Sequence, residues 1–417
     1  MFLTLTGKEI RQNGKSLIYL LYIVLLVVFF ASQLGGIGSN MISAPKEGQE
    51  DYSRYGYKTD ISEEDIMRSA LGMLVTDYYH DVYVTYPVGY TKYVTPSEDE
   101  KAEIADIIRE TTGLENDRQI EESISAFYAE NTADGSASAS YSVEPMEDLT
   151  YDTFLEKMAR VAEILGPGSE FTEDRMRGST MIPLDYEGAK QAYAELVEKD
   201  GYTGGYARLF CDYMGIVAGI LPVFPAVTRM LRDRRAGVQE LLYVRKASSA
   251  AVILSRYAAL AVLSMAPVML LSLIPLADCI AAQGGSIRLD YLAFLKYDLG
   301  WILPTILFVL AVGVFFTELT DSALGVLIQA VIWFCALMQS MNRMQGGAYG
   351  WNLIPRHNTQ MNYGLFAEGF SQLVKNRVLY TVLALVLAGL TILVYEVKRK
   401  GRLRRRGKIL RSRKRVS

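Results

Sequence analysis

Residues 35–208 contain no cysteine, and the three cysteines of the 417-residue chain, Cys211, Cys279 and Cys335, all lie beyond them. Without cysteine, this stretch cannot rely on disulfide bonds and must fold around an apolar core. The three cysteines lie in or beside apolar runs, where a thiol packs as a small hydrophobic side chain. We therefore expect them to be packing residues.

Signatures of catalysis and of metal binding are also missing. The chain has no His-Glu-x-x-His, Cys-x-x-Cys or Gly-x-Ser-x-Gly motif, and its two histidines, His80 and His357, lie far apart. Gly14-Lys15-Ser16 ends like a phosphate-binding loop, but Glu9 stands where that loop requires a glycine. The sequence thus predicts a protein that is not an enzyme, with no catalytic residue, no cofactor and no metal.

Basic residues are scarce in 35–208, which has 35 Asp/Glu against 15 Lys/Arg. The remaining residues reverse this balance, with 28 Lys/Arg against 11 Asp/Glu. Half of all residues are apolar, and the mean hydropathy of +0.14 is high for a soluble protein but low for a pure membrane bundle. The split indicates two environments, namely membrane helices and a water-exposed acidic domain.

Six apolar segments are long enough to cross a bilayer. The expected spans are 17–34, 210–227, 257–277, 299–316, 323–341 and 378–394. A signal peptide is the alternative for the first, but its apolar run is too long and no clear cleavage site follows. Four prolines, at 222, 225, 267 and 304, predict bends in these spans.

Ionisable residues are almost absent from the expected spans. Asp212 is the only carboxylate within one, near its outer end, which argues against a proton-coupled or sodium-coupled transporter. Arg256 lies at the edge of the third span, where we expect its guanidinium to reach the aqueous surface.

Basic residues concentrate in three connecting segments: 1–16, 228–249 and 395–417. The positive-inside rule places all three, and so both termini, in the cytosol. The acidic domain 35–208 and the segment 342–377 are then extracytoplasmic. The tail has twelve Lys/Arg between Lys398 and Arg415, which we expect to attract anionic membrane lipid and not nucleic acid. The chain is expected in the cell (plasma) membrane of a bacterium, as a multi-pass protein.

Local patterns give some detail inside these regions. Segment 1–16 is expected to form an amphipathic cytosolic helix, and Thr6 with Glu9 has the spacing of a capping box at its start. Residues 151–165 carry an apolar stripe ended by Gly166-Pro167, which predicts a helix. Residues 82–94, rich in Val and Tyr, predict a strand. The fold class is thus an α-helical polytopic membrane protein with six transmembrane helices and an inserted, mainly helical (α or α+β) extracytoplasmic domain.

Gly215 and Gly219 form a small-xxx-small face on the second span. Such a face permits close helix packing, either within this chain or with a second copy, and the sequence leaves both open.

The loop 228–249 has a recognisable pattern. Arg232-Asp233-Arg234-Arg235 is followed by Gly237, by Glu240-Leu241-Leu242, and by Ala247-Ser248-Ser249-Ala250 before the third span. Val238, Leu241 and Leu242 have the spacing of one face of a short helix.

This loop, within the predicted topology, resembles the permease subunits of type-2 ABC transporters. The subfamily with a large extracytoplasmic domain between the first and second spans is the most similar. Many relatives have a proline before the serine pair, whereas this chain has Lys246-Ala247. The resemblance implies that the loop is a coupling helix that contacts a separate ABC ATPase subunit. The residues expected at that contact are Arg232, Asp233, Gly237, Val238, Glu240, Leu241 and Leu242.

The resemblance also implies the function. The chain would form the translocation pathway of an ATP-driven exporter, as a homodimer or paired with a second permease. The alternative is a membrane-anchored receptor or surface protein whose acidic domain binds a ligand without transport. One span would suffice for such an anchor, whereas six spans with several prolines favour a pathway.

Overall fold

The computed structural model describes residues 1–38, 41–49, 51–58, 60–87, 91–131, 141–283, 285, 287–341, 347 and 349–401. The chain is mostly helical. Five helices are long and apolar enough to cross a membrane: Leu17–Leu34, Thr203–Arg235, Ser249–Gln283, Ala293–Thr320 and Tyr363–Arg399. This composition fits the expected helical polytopic membrane protein. Most of the basic tail, residues 402–417, lies outside the described residues.

The chain divides into two compact units, and each is described by itself. The larger comprises Met1–Ala44 and Lys190–Ser417, and the smaller comprises Pro45–Ala189. The larger unit begins with two helices, α1 (Phe2–Asn13) and α2 (Leu17–Leu34). Ser16 caps α2, because its side chain accepts a hydrogen bond from the Tyr19 amide.

The smaller unit is mainly helical, with one short hairpin. Its elements, with the helix that follows, are α3 (Glu63–His80), β1 (Tyr83–Thr85), β2 (Lys92–Val94), α4 (Glu98–Thr112), α5 (Asp117–Asn131), α6 (Tyr151–Leu165), α7 (Glu173–Ser179) and α8 (Tyr186–Glu198). The strands are antiparallel, with Tyr83 opposite Val94. The predictions of a strand in 82–94 and of a helix over 151–165 are confirmed.

The core of the smaller unit forms where α3, α4 and α6 pack together. Leu71 and Leu74 of α3 and Ile108 of α4 are fully buried there. From α6 the buried stripe is Phe154, Met158, Val161 and Leu165. A capping box at Ser97 and Glu100 fixes the start of α4. Described residues of this unit include no cysteine, so apolar packing carries its stability.

Nine more helices complete the larger unit. They are α9 (Thr203–Ala218), α10 (Val223–Arg235), α11 (Gln239–Tyr243), α12 (Ser249–Leu271), α13 (Leu273–Gln283), α14 (Ala293–Tyr297), α15 (Leu303–Thr320), α16 (Leu324–Met341) and α17 (Tyr363–Arg399). Helix α15 lies at the centre, since it packs against α10, α12, α16 and α17. Large apolar side chains remain exposed on the outer helices, such as Val28 of α2, Leu327 of α16 and Leu385 of α17. Such exposure is typical of a surface that contacts lipid.

Pro222 and Pro304 lie at interruptions of the helices, whereas Pro225 and Pro267 lie inside α10 and α12. The expected span 210–227 is divided, because α9 ends at Ala218 and α10 begins after Pro222. The expected span 257–277 covers the junction of α12 and α13 at Ser272. A π-helical turn, Asp298–Ile302, precedes Pro304. Proline has no amide hydrogen to donate, so the regular helical bonding changes at these points.

The fifth expected span, 323–341, coincides in position with α16. Its described apolar part, Leu324–Ser340, is shorter than the other five candidates. Cys335 on this helix is exposed, in contrast to the buried Cys211 and Cys279. Its expected role as an interior packing residue is therefore wrong, and its side chain lies on the outer surface of α16.

A glycine in α3 gives a test of packing in the smaller unit. A Cβ atom at Gly72 would lie 2.2 Å from the Tyr141 carbonyl oxygen. We expect Gly72→Ala to destabilise α3 by about 2 kcal/mol, because the backbone at Tyr141 must move. Hydrogen exchange of Glu63–His80 in the full chain should accelerate by about 30-fold. Gly178→Ala is the control, since a Cβ there meets nothing within 4 Å. Equal exchange in the two variants would contradict the predicted clash.

Candidate coupling surface

Two turns of α10 present charged residues toward α1 and α12. Arg229 and Asp233 are four residues apart and so share one helix face. Glu9 of α1 accepts two hydrogen bonds from Arg229, from Nε to Oε2 and from Nη2 to Oε1, both 2.5 Å. Arg256 of α12 donates from Nη2 to Asp233 Oδ2 at 2.5 Å, and its Nε lies 3.8 Å from Glu9 Oε1. We call Glu9, Arg229, Asp233 and Arg256 the four-charge cluster.

The side chains of the four-charge cluster are largely shielded from solvent, which strengthens the attraction between their charges. Arg229 and Arg256 are only 4% and 6% exposed at their side chains, and Glu9 is 14% exposed. Burial alone would raise the pKa of Glu9, but hydrogen bonding and charge from Arg229, with the charge of Arg256, leave that pKa below its usual value. The Glu9 carboxylate is therefore ionised, and two acids balance two arginines inside the protein.

Two expectations about these residues are wrong. Helix α1 begins at Phe2, and the Thr6 hydroxyl donates to the Phe2 carbonyl, so Thr6 and Glu9 form no capping box. Arg256 does not extend to the aqueous surface, because it is buried against Asp233. In both cases a buried partner on another helix outcompetes the local interaction that the sequence pattern favours.

The chain turns sharply after α10, at Gly237. Its φ of +70° is the left-handed conformation that favours glycine. The Val238 amide donates to the Asp233 carbonyl, and the Gly237 amide donates to the Arg234 carbonyl. These two bonds form a Schellman motif, which ends α10 and starts the short helix α11. The role of Gly237 in the structure is thus to permit this turn.

The far side of this turn is apolar and exposed. Val238, Leu241 and Val244 are 37%, 66% and 81% exposed, and their spacing of three residues places them close together. Leu242 is half-buried instead. We call Val238, Leu241 and Val244 the apolar tip.

The inner end of α17 holds the segment that carries the apolar tip. Arg399 donates to the carbonyls of Tyr243, Arg245 and Ala247 at 2.8, 2.7 and 2.7 Å. The ring of Tyr395 packs edge-on against Tyr243 at 5.4 Å between centroids. The backbone that follows the apolar tip is therefore bound to α17.

A further set of ion pairs connects α10, α15 and α17. Arg234 and Lys398 both pair with Asp321, which follows α15. Lys398 also lies 3.6 Å from Glu318, and Arg234 Nε donates to the Gln239 side chain at 2.9 Å. Together with Arg399, these contacts fix both ends of the loop 236–247.

The residues predicted at an ATPase contact therefore divide in two. Asp233 is in the four-charge cluster, and Arg232 donates to Asn13 of α1 at 2.8 Å. Val238, Glu240 and Leu241 are exposed. Sequence reasoning omitted Val244, although it continues the three-residue spacing from Leu241. It also omitted Glu9 and Arg229, because their pairing over 220 residues leaves no local signal.

Gly215 and Gly219 lie at packing contacts within the chain. A Cβ atom at Gly219 would come within 3.0 Å of the Ile354 and Trp333 side chains, and one at Gly215 would meet Ile354 at 3.9 Å. Trp333 Nε1 of α16 donates to the Ile216 carbonyl at 2.8 Å. These contacts favour intramolecular packing over a contact with a second copy.

At the end of the bundle remote from α11, residues 349–361 are folded inward. Asp212 of α9 accepts hydrogen bonds from the amides of His357 and Asn358 at 2.8 and 2.5 Å. Arg208 donates to the Gln360 and Met361 carbonyls at 3.0 and 3.1 Å. The buried Asp212 thus satisfies two backbone amides, which explains a carboxylate at this position.

His357 is fully buried and neutral. Its Nε2 lies 2.9 Å from the Met361 carbonyl, which can only accept, and its Nδ1 is bonded to the Tyr349 hydroxyl. A neutral ring satisfies both neighbours, with one nitrogen donating and one accepting. Burial, reinforced by the Arg208 charge and opposed by the bond to Met361, lowers the pKa of His357 to about 3. His357 is thus a buried packing residue, and no group of three or more metal-ligating side chains occurs among the described residues.

Comparison with known proteins identifies no relative: no family model, curated protein or solved structure matches the chain. Any function must therefore be argued from the residues themselves.

The four-charge cluster predicts that α1 detaches when Glu9 is neutralised. Glu9→Gln leaves Arg229 buried without its main partner, which costs about 3 kcal/mol. Hydrogen exchange of Phe2–Asn13 should rise strongly in the full chain, while Lys8→Gln, at an exposed position of the same helix, should behave as the unchanged protein. Undisturbed protection of α1 in Glu9→Gln would show that the pair does not hold this helix.

His357 predicts an acid-dependent loss of stability. The unfolded chain takes up a proton at this side chain near pH 6.5, whereas the folded chain does so only near pH 3. Its contribution is therefore fully present above about pH 6.5 and is lost as the pH falls toward 3, by up to about 1.4 kcal/mol per pH unit. Thermal unfolding between about pH 7 and about pH 5 should show a steeper decline than in His357→Gln. Parallel curves for the two proteins would contradict a neutral buried ring.

Proposed function

We propose that the chain is the membrane-spanning subunit of an ATP-driven type-2 ABC exporter. Two such subunits, identical or paired with a second permease, form the pathway, and a separate ATPase subunit hydrolyses ATP. The chain crosses the cell membrane six times, with α16 as the fifth span. Residues 45–189 then form the core of an extracytoplasmic domain.

The apolar tip carries this proposal. Three apolar side chains, Val238, Leu241 and Val244, stand exposed on a connection too polar around them to enter lipid. An exposed apolar patch with a charged rim is typical of a surface that binds another protein. A short helix offering such a patch to an ATPase is what the resemblance to type-2 permeases implies.

The attachment of the apolar tip supports a role in transmitting motion. Arg234 and Gln239 hold its first side, and Arg399 holds its second side through three carbonyls. A force applied at Leu241 therefore reaches α10 and α17 through short, strong bonds rather than through a free loop. Proline-interrupted spans connected to these helices provide places for the bundle to bend.

The distribution of positive charge supports the orientation. Contacts join α1 to α10 through Glu9 and join α17 to residues 243–247 through Arg399. The described parts of the three basic segments, which end at residue 401, thus meet at one end of the helical unit. The positive-inside rule assigns that end to the cytosol, where an ATPase would be found.

Substitutions in the apolar tip test the proposal. Leu241→Asp combined with Glu240→Lys should abolish co-purification of an ATPase and its stimulation by the permease, because the apolar contact is lost at its centre. The melting temperature of the permease should stay unchanged, since Leu241 is 66% exposed.

Tyr93→Asp is the control for the Leu241→Asp component, as it places the same charge at an apolar side chain that is 73% exposed on β2. It should retain the ATPase. An ATPase that stays bound and coupled after the double substitution would refute the assignment of this surface. A permease that captures no ATPase in any form, but binds a ligand through residues 45–189, would favour the receptor alternative.

A further inference from the structure

Asp298 is a buried carboxylate without a charged partner among the described residues. It is the first residue of the π-helical turn Asp298–Ile302, inside the candidate span Ala293–Thr320, and it is 1% exposed. Neither of its carboxylate oxygens has a hydrogen-bond partner among the described residues. Within the described chain, no lysine, arginine or histidine nitrogen lies within 4.0 Å of it. The sequence predicted Asp212 as the only carboxylate within a span. Asp298 is a second one, because the helix that contains it begins earlier than the expected span 299–316.

The turn that carries Asp298 holds a second buried polar group without a partner. The Leu303 amide donates to the Asp298 carbonyl in the π pattern, and Pro304, which follows, has no amide hydrogen to donate. The Trp301 indole N–H, in the same turn, is buried and without a partner among the described residues. Turns of this kind are frequent at functional sites.

The groups around Asp298 do not balance its charge. Arg377 of α17 donates its hydrogen bonds to neutral acceptors. Its Nη1 donates to the Trp301 carbonyl at 3.0 Å and to Thr305 Oγ1 at 2.7 Å. The Ser272 hydroxyl, between α12 and α13, interacts with the Asp298 carboxylate and donates to the Met269 carbonyl at 2.9 Å, but it is neutral and cannot balance the charge. From α9, the fully buried Cys211 lies within electrostatic range of both Asp298 and Arg377. Asp212, next to Cys211, is already bonded to two amides.

An isolated ionised carboxylate in such surroundings is strongly disfavoured. We infer that Asp298 is a binding site for one positive charge, either a proton or an alkali metal ion. A carboxylate beside an interrupted helix is the type of site that holds such ions in membrane transporters. With one carboxylate and few other oxygen atoms, it suits a single monovalent charge rather than a divalent metal. The site does not depend on the proposed coupling to an ATPase, because this chain alone contains it.

Thermal stability of the purified full chain in detergent tests the inference. Unfolding is followed at about pH 6 and about pH 8, in choline chloride and in sodium or potassium chloride. If Asp298 binds a proton, stability in choline is full at low pH and declines as rising pH removes that proton, with a fall in melting temperature of about 2 °C or more. If it binds an alkali ion, sodium or potassium raises the melting temperature at about pH 8 relative to choline.

Asp298→Asn should remove the part of the dependence that Asp298 supplies, because the amide needs no counter-charge. Burial raises the pKa of Asp77 to about 7, so a smaller pH dependence should remain in both proteins. Asp290→Asn is the control, since Asp290 is only half-buried and is paired with Lys296 at 2.6 Å, and it should keep the dependence. If Asp298→Asn does not accumulate, Asp298→Glu takes its place and should retain the dependence with a shifted midpoint. Identical responses of the unchanged protein and Asp298→Asn to pH and to each cation would overturn the inference, as would loss of the response in Asp290→Asn alone.

Discussion

The bidentate pair between Glu9 and Arg229 is the interaction on which the arrangement of α1, α10 and α12 depends. Arg229 and Arg256 are buried, and a buried arginine needs a carboxylate close by. Helix α10 supplies one carboxylate, Asp233, and α1 supplies the other, Glu9. The charges of these four residues cancel only when all three helices are in contact. The amphipathic helix at the start of the chain is therefore part of the structure of the loop more than two hundred residues later.

This charge balance also changes how the charged residues of the loop 228–249 are interpreted. Arg232 and Asp233 resembled a recognition motif, yet their side chains face α1 and α12. The exposed part is the apolar tip, which the glycine-dependent turn at Gly237 brings out of the bundle. Charge here sets the position of the surface, and apolar side chains form it.

Helices could be predicted from the sequence where the pattern that identifies them lies within one short segment. The uncharged run at 17–34 coincides with α2, and the stripe over 151–165 coincides with α6. Helical spacing grouped Val238 with Leu241, which are both exposed, but it also included Leu242, which is half-buried. What could not be inferred came from contacts between distant residues, such as Glu9 with Arg229 and Asp212 with the amides of His357 and Asn358. Asp298 was missed for a related reason, because it lies between two apolar runs and looks like a loop residue until the π turn joins them.

Helix α17 is 37 residues long and contains no proline. At 1.5 Å per residue it extends about 55 Å, well beyond the thickness of a hydrocarbon core. Arg377 holds the Leu353 carbonyl at one level of this helix, and Arg399 holds three carbonyls next to the apolar tip at another. The 22 residues between the two arginines correspond to about 33 Å of continuous helix. Helix α17 is therefore a rigid spacer of fixed length between the inward-folded segment 349–361 and the loop 236–247. A shift of one of these segments along the bundle axis should displace the other.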